Sequence, residues 1–92
     1  MSEFMGLIKG EYDAKEGGGF LPGGASLHSI MVPHGPDGET VKKAATKDTS
    51  VPEFVGSGSM AFMFESSLFL KVNPRHFDKS QPNYEQIWQN IP

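Results

Sequence analysis

A mainly β architecture of the sandwich or jelly-roll type, with a short C-terminal α-helix, is what this sequence predicts. Three observations carry it. Met60 to Val72 alternates apolar residues at every second position, turns rich in glycine and proline punctuate the chain, and helix-period apolar spacing is confined to its last residues. These signals amount to roughly four strands, too few to close a barrel alone.

Ser2 to Tyr12 reads as the first strand. One parity carries Glu3, Met5, Leu7 and Lys9, and the other carries Phe4, Gly6, Ile8 and Gly10. The glycines mark a bulge or a close backbone approach. Glu3 shares its face with apolar residues. It is either solvated near a ragged terminus or, if it faces an interior, paired, hydrogen-bonded or metal-bound. Asp13 to Gly19 is a turn or loop whose three consecutive glycines match no phosphate-cradling pattern. Ala25 to Leu27 looks like a short strand that points His28 into a cavity.

Glu39 to Asp48 is expected to form a short polar helix or helical turn, with Lys42 and Lys43 on a solvated face. Thr49 to Ser59 reads as a loop with a small apolar plug of Val51, Phe54 and Val55. In the strand from Met60 to Val72, the even positions Met60, Phe62, Phe64, Leu68, Leu70 and Val72 should face the core. Ser66-Ser67 suggests a bend or bulge where the strand crosses between sheets. Asn73 to Pro82 is irregular, with His76 at the surface. Asn83 to Asn90 reads as an amphipathic helix, with Asn83 and Gln86 in capping-box spacing and Tyr84, Ile87, Trp88 and Ile91 as a stripe docked on the sheet.

The stretch from Phe20 to Gly38 holds two of the three histidines, His28 and His34, between three prolines. Six residues apart on a flat strand, they would share a face but stand about 20 Å from each other. A helix would point them apart, and Pro33 would interrupt it. Either the chain folds back between them, or one binds metal while the other works nearby. The second option is preferred here, because Pro33 and Gly35 bracket His34 in a fixed bend that permits close approach to a ligand. Histidines at no standard zinc spacing are also compatible with plain surface or hydrogen-bonded roles.

Composition narrows the field. A 92-residue chain with 37% hydrophobic and 21% charged residues fits one small folded domain. The net charge of −3, with no basic cluster, argues against a nucleic-acid partner. No cysteine is present, which excludes a disulfide framework and a thiolate nucleophile and fits a reducing compartment, so a cytoplasmic location is expected. No membrane association is expected, since no apolar run reaches spanning length. The sequence enters strand-like pattern at once, as though it were the middle of something longer.

Five strings now quoted or implied occur together: MSEFMGL at residues 1–7, YDAK at 12–15, GGFLPGGASLH at 18–28, PHGPD at 33–37 and MAFMFESS at 60–67. With the closing NYEQIW, they closely resemble the homogentisate 1,2-dioxygenases, in the same order and along most of the chain. The glycine run at 17–19 is one residue longer than the family's usual pattern. The resemblance implies a cupin-like jelly roll with one non-haem Fe(II), which opens the ring of homogentisate with O2 to give maleylacetoacetate in tyrosine and phenylalanine catabolism. It implies that Glu3 and His34 are metal ligands, that Tyr12 and His34 contact substrate, and that His28 is a catalytic, proton-handling histidine.

In that family the first histidine ligand lies a few residues upstream of MSEFMG, and the assembly is a hexamer. The chain therefore resembles the C-terminal segment of the catalytic jelly-roll domain, residues 1–92, and in isolation should be inactive. The alternative is a small non-catalytic β module whose exposed aromatics bind a partner chain. One tension is geometric. Glu3 and Tyr12 are nine residues apart, so a regular strand would point them to opposite faces unless it bulged at Gly10 or ended before Tyr12.

Overall fold

The computed structural model describes residues 1–14, 20–89 and 91. Its centre is a three-stranded antiparallel sheet in the order β2-β1-β3, formed by β1 (Ser2–Lys9), β2 (Ala25–His28) and β3 (Met60–Ser66). One helix, α1 (Gly38–Ala45), and two short 3₁₀ segments, Pro74–Lys79 and Tyr84–Trp88, complete the regular structure among the described residues. The mainly β expectation agrees with this open sheet.

β1 is the middle strand, so its register decides what meets what. Against β2 it pairs Glu3 with His28 and Met5 with Ser26, and against β3 it pairs Phe4 with Phe64 and Met5 with Met63. Cross-strand partners share a face. One face therefore carries Glu3, Met5, Leu7 and His28, and the other carries Phe4, Phe62 and Phe64. Met5 and Leu7 are the buried apolar residues, at 3% and 2% exposure.

Several expectations change. The first strand stops at Lys9 rather than Tyr12, because the β1–β3 register shifts between Leu7 and Lys9 and Gly10 takes φ 76°. A side chain at Gly10 would also collide with Ser59, whose hydroxyl accepts the Glu11 amide at 2.9 Å. β3 ends at Ser66 instead of running to Val72: the Ser66 hydroxyl accepts the Leu68 amide and turns the chain away. The even-numbered face of β3 is not core. Phe64 is 69% exposed and Phe62 37%, because β3 is an edge strand with no layer stacked on its aromatic side among the described residues. Phe4, Phe62 and Phe64 instead pack on one another, with ring centroids 6.0 and 5.5 Å apart. The plug residues Val51, Phe54 and Val55 are likewise exposed.

α1 starts one residue earlier than expected and stops sooner, at Ala45. Asp37 caps it, its carboxylate accepting the Thr40 amide at 2.8 Å. The C-terminal helix is replaced by a 3₁₀ segment. Asn83 sits in the left-handed region at φ 58° and its side chain caps nothing, so the capping-box reading fails. That segment packs on α1 rather than on the sheet, with Ile87 and Gln89 carbonyls close over Gly38. Phe20 to Ala25 enters β2 through a turn in which the Gly24 amide reaches Leu21 O at 2.7 Å, with Pro22 and Gly23 (φ 89°) at its centre. The glycine run at 17–19 lies outside the described residues.

Candidate metal centre

Glu3 sits on the middle strand, directly opposite His28 at the end of β2. This register brings the Glu3 Oε2 and His28 Nδ1 atoms to 3.7 Å. After His28 the chain turns sharply, with the Val32 amide bonded to Ser29 O and Met31 at φ 65°. The reversal returns His34 over His28: the two imidazoles stack with centroids 4.2 Å apart and planes 11° from parallel. His34 Nε2 then donates to Glu3 Oε2 at 2.8 Å. The chain folds back between the histidines, so the 20 Å separation of a flat strand does not arise.

Glu3, His28 and His34 each offer one ligand atom, and these atoms all lie within 4.8 Å of one another. Burial is graded across the set, with side-chain exposures of 9% for His28, 24% for Glu3 and 29% for His34. The His34 hydrogen bond, together with the charges of His34 and His28, holds the Glu3 carboxyl below its ordinary value of 4.5 despite some desolvation. A deprotonated carboxylate beside two imidazoles is a donor set suited to a divalent transition metal. One detail supports the fit. His34 Nδ1 faces Val32 O at 3.4 Å, a backbone acceptor for an Nδ1 proton once Nε2 gives up its own to ligate a metal.

Tyr12 stands apart from these three. It is half-buried, and its ring meets Phe20 edge-on at 5.5 Å. Burial, then the charges of Asp13 and Glu3, push its phenol above the usual 10.0. Glu3 therefore acts electrostatically on Tyr12 although no regular strand could aim both residues to one side. The end of β1 at Lys9 and the left-handed Gly10 release Tyr12 from the strand's alternation. Tyr12 also lines an open cleft of about 640 Å³, together with Thr40, Lys43, Lys47, Glu53 and Phe54. None of the three donor residues reaches that cleft. His76, expected at the surface, is exposed.

Two residues support this centre through contacts the sequence did not show. The Trp88 indole donates to Gly35 O at 3.3 Å, bracing the bend that carries His34. Ser2, a residue with no pattern signal, bonds two distant backbone segments at once.

A family model described as homogentisate 1,2-dioxygenase C-terminal matches residues 1–92. Among curated proteins, the homogentisate 1,2-dioxygenase of Homo sapiens is 54% identical over 94 residues, covering 99% of this chain and 21% of the relative. That of Emericella nidulans is 55% identical over 95 residues, with the same coverage. That of Pseudomonas fluorescens is 50% identical over 94 residues, covering all of this chain and 21% of the relative. The chain thus spans about a fifth of the length of the curated relatives it matches. No helix among the described residues is long and apolar enough to cross a membrane.

Proposed function

The chain belongs to the homogentisate 1,2-dioxygenase C-terminal family, an enzyme family, and from that membership we propose that it is the C-terminal segment of a cupin-like jelly-roll dioxygenase domain. The activity proposed for the complete protein is Fe(II)-dependent cleavage of the homogentisate ring by O2 to give maleylacetoacetate, in tyrosine and phenylalanine catabolism. The observation that carries this reading is the convergence of Glu3 on the first strand with His28 and His34, their ligand atoms within 4.8 Å of one another.

Glu3 and His34 would hold the Fe(II), with a further histidine supplied from upstream of this segment. Fe(II) held by these residues would bring an aromatic substrate and O2 together for redox chemistry. The chain's own residues do the rest. The His34 hydrogen bond and the charges of His34 and His28 favour the charged form of Glu3, holding its carboxyl below the ordinary value. His28, nearly enclosed and stacked on His34, is placed to hold or pass a proton at its imidazole nitrogens. Tyr12 keeps its phenolic proton at neutral pH and can donate it to a substrate oxygen or carboxylate. His34 also contacts substrate in this reading. A cytoplasmic, hexameric protein with no nucleic-acid or membrane partner completes the proposal.

The test mixes the full-length polypeptide containing this segment with Fe(II), homogentisate and O2 and follows ring-opened product by absorbance. Iron-dependent turnover that is lost in Glu3→Ala and His34→Ala supports the reading. No iron-dependent product from the full-length protein overturns the function. Robust turnover by the 92-residue chain alone would overturn its proposed inactivity in isolation.

A second reading, a non-catalytic β module that binds a partner chain, draws on the exposed Phe4, Phe62 and Phe64 cluster. It requires that Glu3→Ala and His34→Ala leave binding of the partner chain unchanged.

A further inference from the structure

We infer that Ser2 is a positioning residue for the metal centre, its hydroxyl clamping the loop between His28 and His34 so that the second imidazole returns to Glu3. This rests on the metal reading of Glu3 and His34 given above.

Ser2 is 0% exposed, and its hydroxyl joins three parts of the chain. It accepts the Ile30 amide at 3.0 Å and donates to Leu68 O at 2.8 Å. A serine hydroxyl has one donor and can accept at the same time, so both roles are filled without competition. Ile30 lies two residues past the end of β2, where the ladder to β1 has already stopped. The Ser2 bond is therefore the next tie between this loop and the middle strand. Directly after it comes Met31 at φ 65°, a left-handed conformation that a side-chain-bearing residue keeps only where its surroundings enforce it. That turn is what sends the chain back to stack His34 on His28.

The clamp leaves the metal's space free. Successive strand residues point to opposite faces, so the Ser2 hydroxyl works from behind the Glu3 carboxylate. The plainer role is a buried serine that merely satisfies two backbone groups. Such a residue would affect global stability without selectively affecting the donors.

The experiment compares Ser2→Ala with Leu7→Ala in the full-length polypeptide. Leu7 is 2% exposed, on the same strand, and belongs to no proposed ligand or substrate contact. Co(II) affinity of each folded variant is read from its ligand-field absorbance, and the imidazole signals of His28 and His34 are followed by NMR without metal. The expected result is that Ser2→Ala weakens Co(II) binding about tenfold or more and separates the two stacked-ring signals, while Leu7→Ala changes neither. Ser2→Ala with Co(II) affinity within about threefold of the parent and unchanged ring signals overturns the inference, as does an equal loss in Leu7→Ala. If the parent binds no Co(II), the metal reading itself fails. The metal-free ring signals then judge the clamp alone: unchanged signals in Ser2→Ala reject it.

Discussion

At the scale of single residues, Glu3 is the pivot, and its environment has a pH signature. Its folded-state pKa lies below 4.5, so its contribution to stability is complete above 4.5 and fades as pH falls through the lowered folded value. Urea unfolding of the chain and of Glu3→Gln should therefore differ at pH 7 and converge in strong acid; a gap that widens with acidification would contradict the assignment. Tyr12 has the opposite shift. Its phenol should titrate above 10.0, seen as tyrosinate absorbance, and Glu3→Gln should lower that midpoint because one of the opposing charges is gone. His28 can be sorted by a third substitution. If it handles protons, His28→Gln should leave Co(II) affinity within a few-fold of the parent while reducing turnover by about two orders of magnitude; a loss of metal equal to that in Glu3→Ala would make it a ligand. Glu3, His28 and His34 were singled out from pattern and loop chemistry, while Tyr12 and the role of each residue came through resemblance. Spacing alone left open whether the chain folds back between the two histidines, because nothing in their six-residue interval announces a left-handed Met31.

At the scale of elements, the sheet's pairing matters more than its composition. The alternation of Met60 to Ser66 was legible, and so was the strand at Ser2. Their ends were legible only in part: Gly10 and Ser66-Ser67 were marked as breaks, and the Ser66 turn is local, but the meeting of Gly10 and Glu11 with Ser59 joins residues far apart in sequence. The core assignment of β3 failed for a related reason: alternation shows which residues share a face, not whether another layer covers it. Gly10→Ala tests the strand's end. Its positive φ and the contact with Ser59 should cost about 1–3 kcal/mol, measured by thermal unfolding, and should move Tyr12. Asp37→Ala removes the α1 cap and should cost about 1 kcal/mol, with little effect on the donors. Trp88 is different. Although far along the chain, it braces Gly35, so Trp88→Phe should loosen the His34 bend, read as faster exchange of the Gly35, Asp37 and Gly38 amides.

At the scale of the whole molecule, the sheet is open, and among the described residues no second layer covers its aromatic side. Phe64 is the most exposed ring of that cluster, and Phe4 and Phe62 flank it. An uncovered aromatic face beside an unpaired edge strand favours association. The 92-residue chain taken alone should therefore self-associate in sedimentation velocity, and Phe64→Lys should shift it toward monomer. A parent chain that stays monomeric across the accessible concentration range would show that the face is harmless. The mainly β class was readable because turn chemistry and alternation are local; the absence of a second layer over Phe62 and Phe64 is not.

The pairing of Glu3 with His28 has a consequence for how such proteins tolerate gains and losses of sequence. The Leu21–Gly24 turn and its bonds to Leu7 re-establish the alignment of β2 after whatever precedes it. Extra residues added before Leu21 are thus absorbed without disturbing the donors. A single residue deleted between Gly24 and His28 would swing the imidazole to the far side of the sheet. Natural variation in length should accordingly collect on the N-terminal side of that turn and stop abruptly at it.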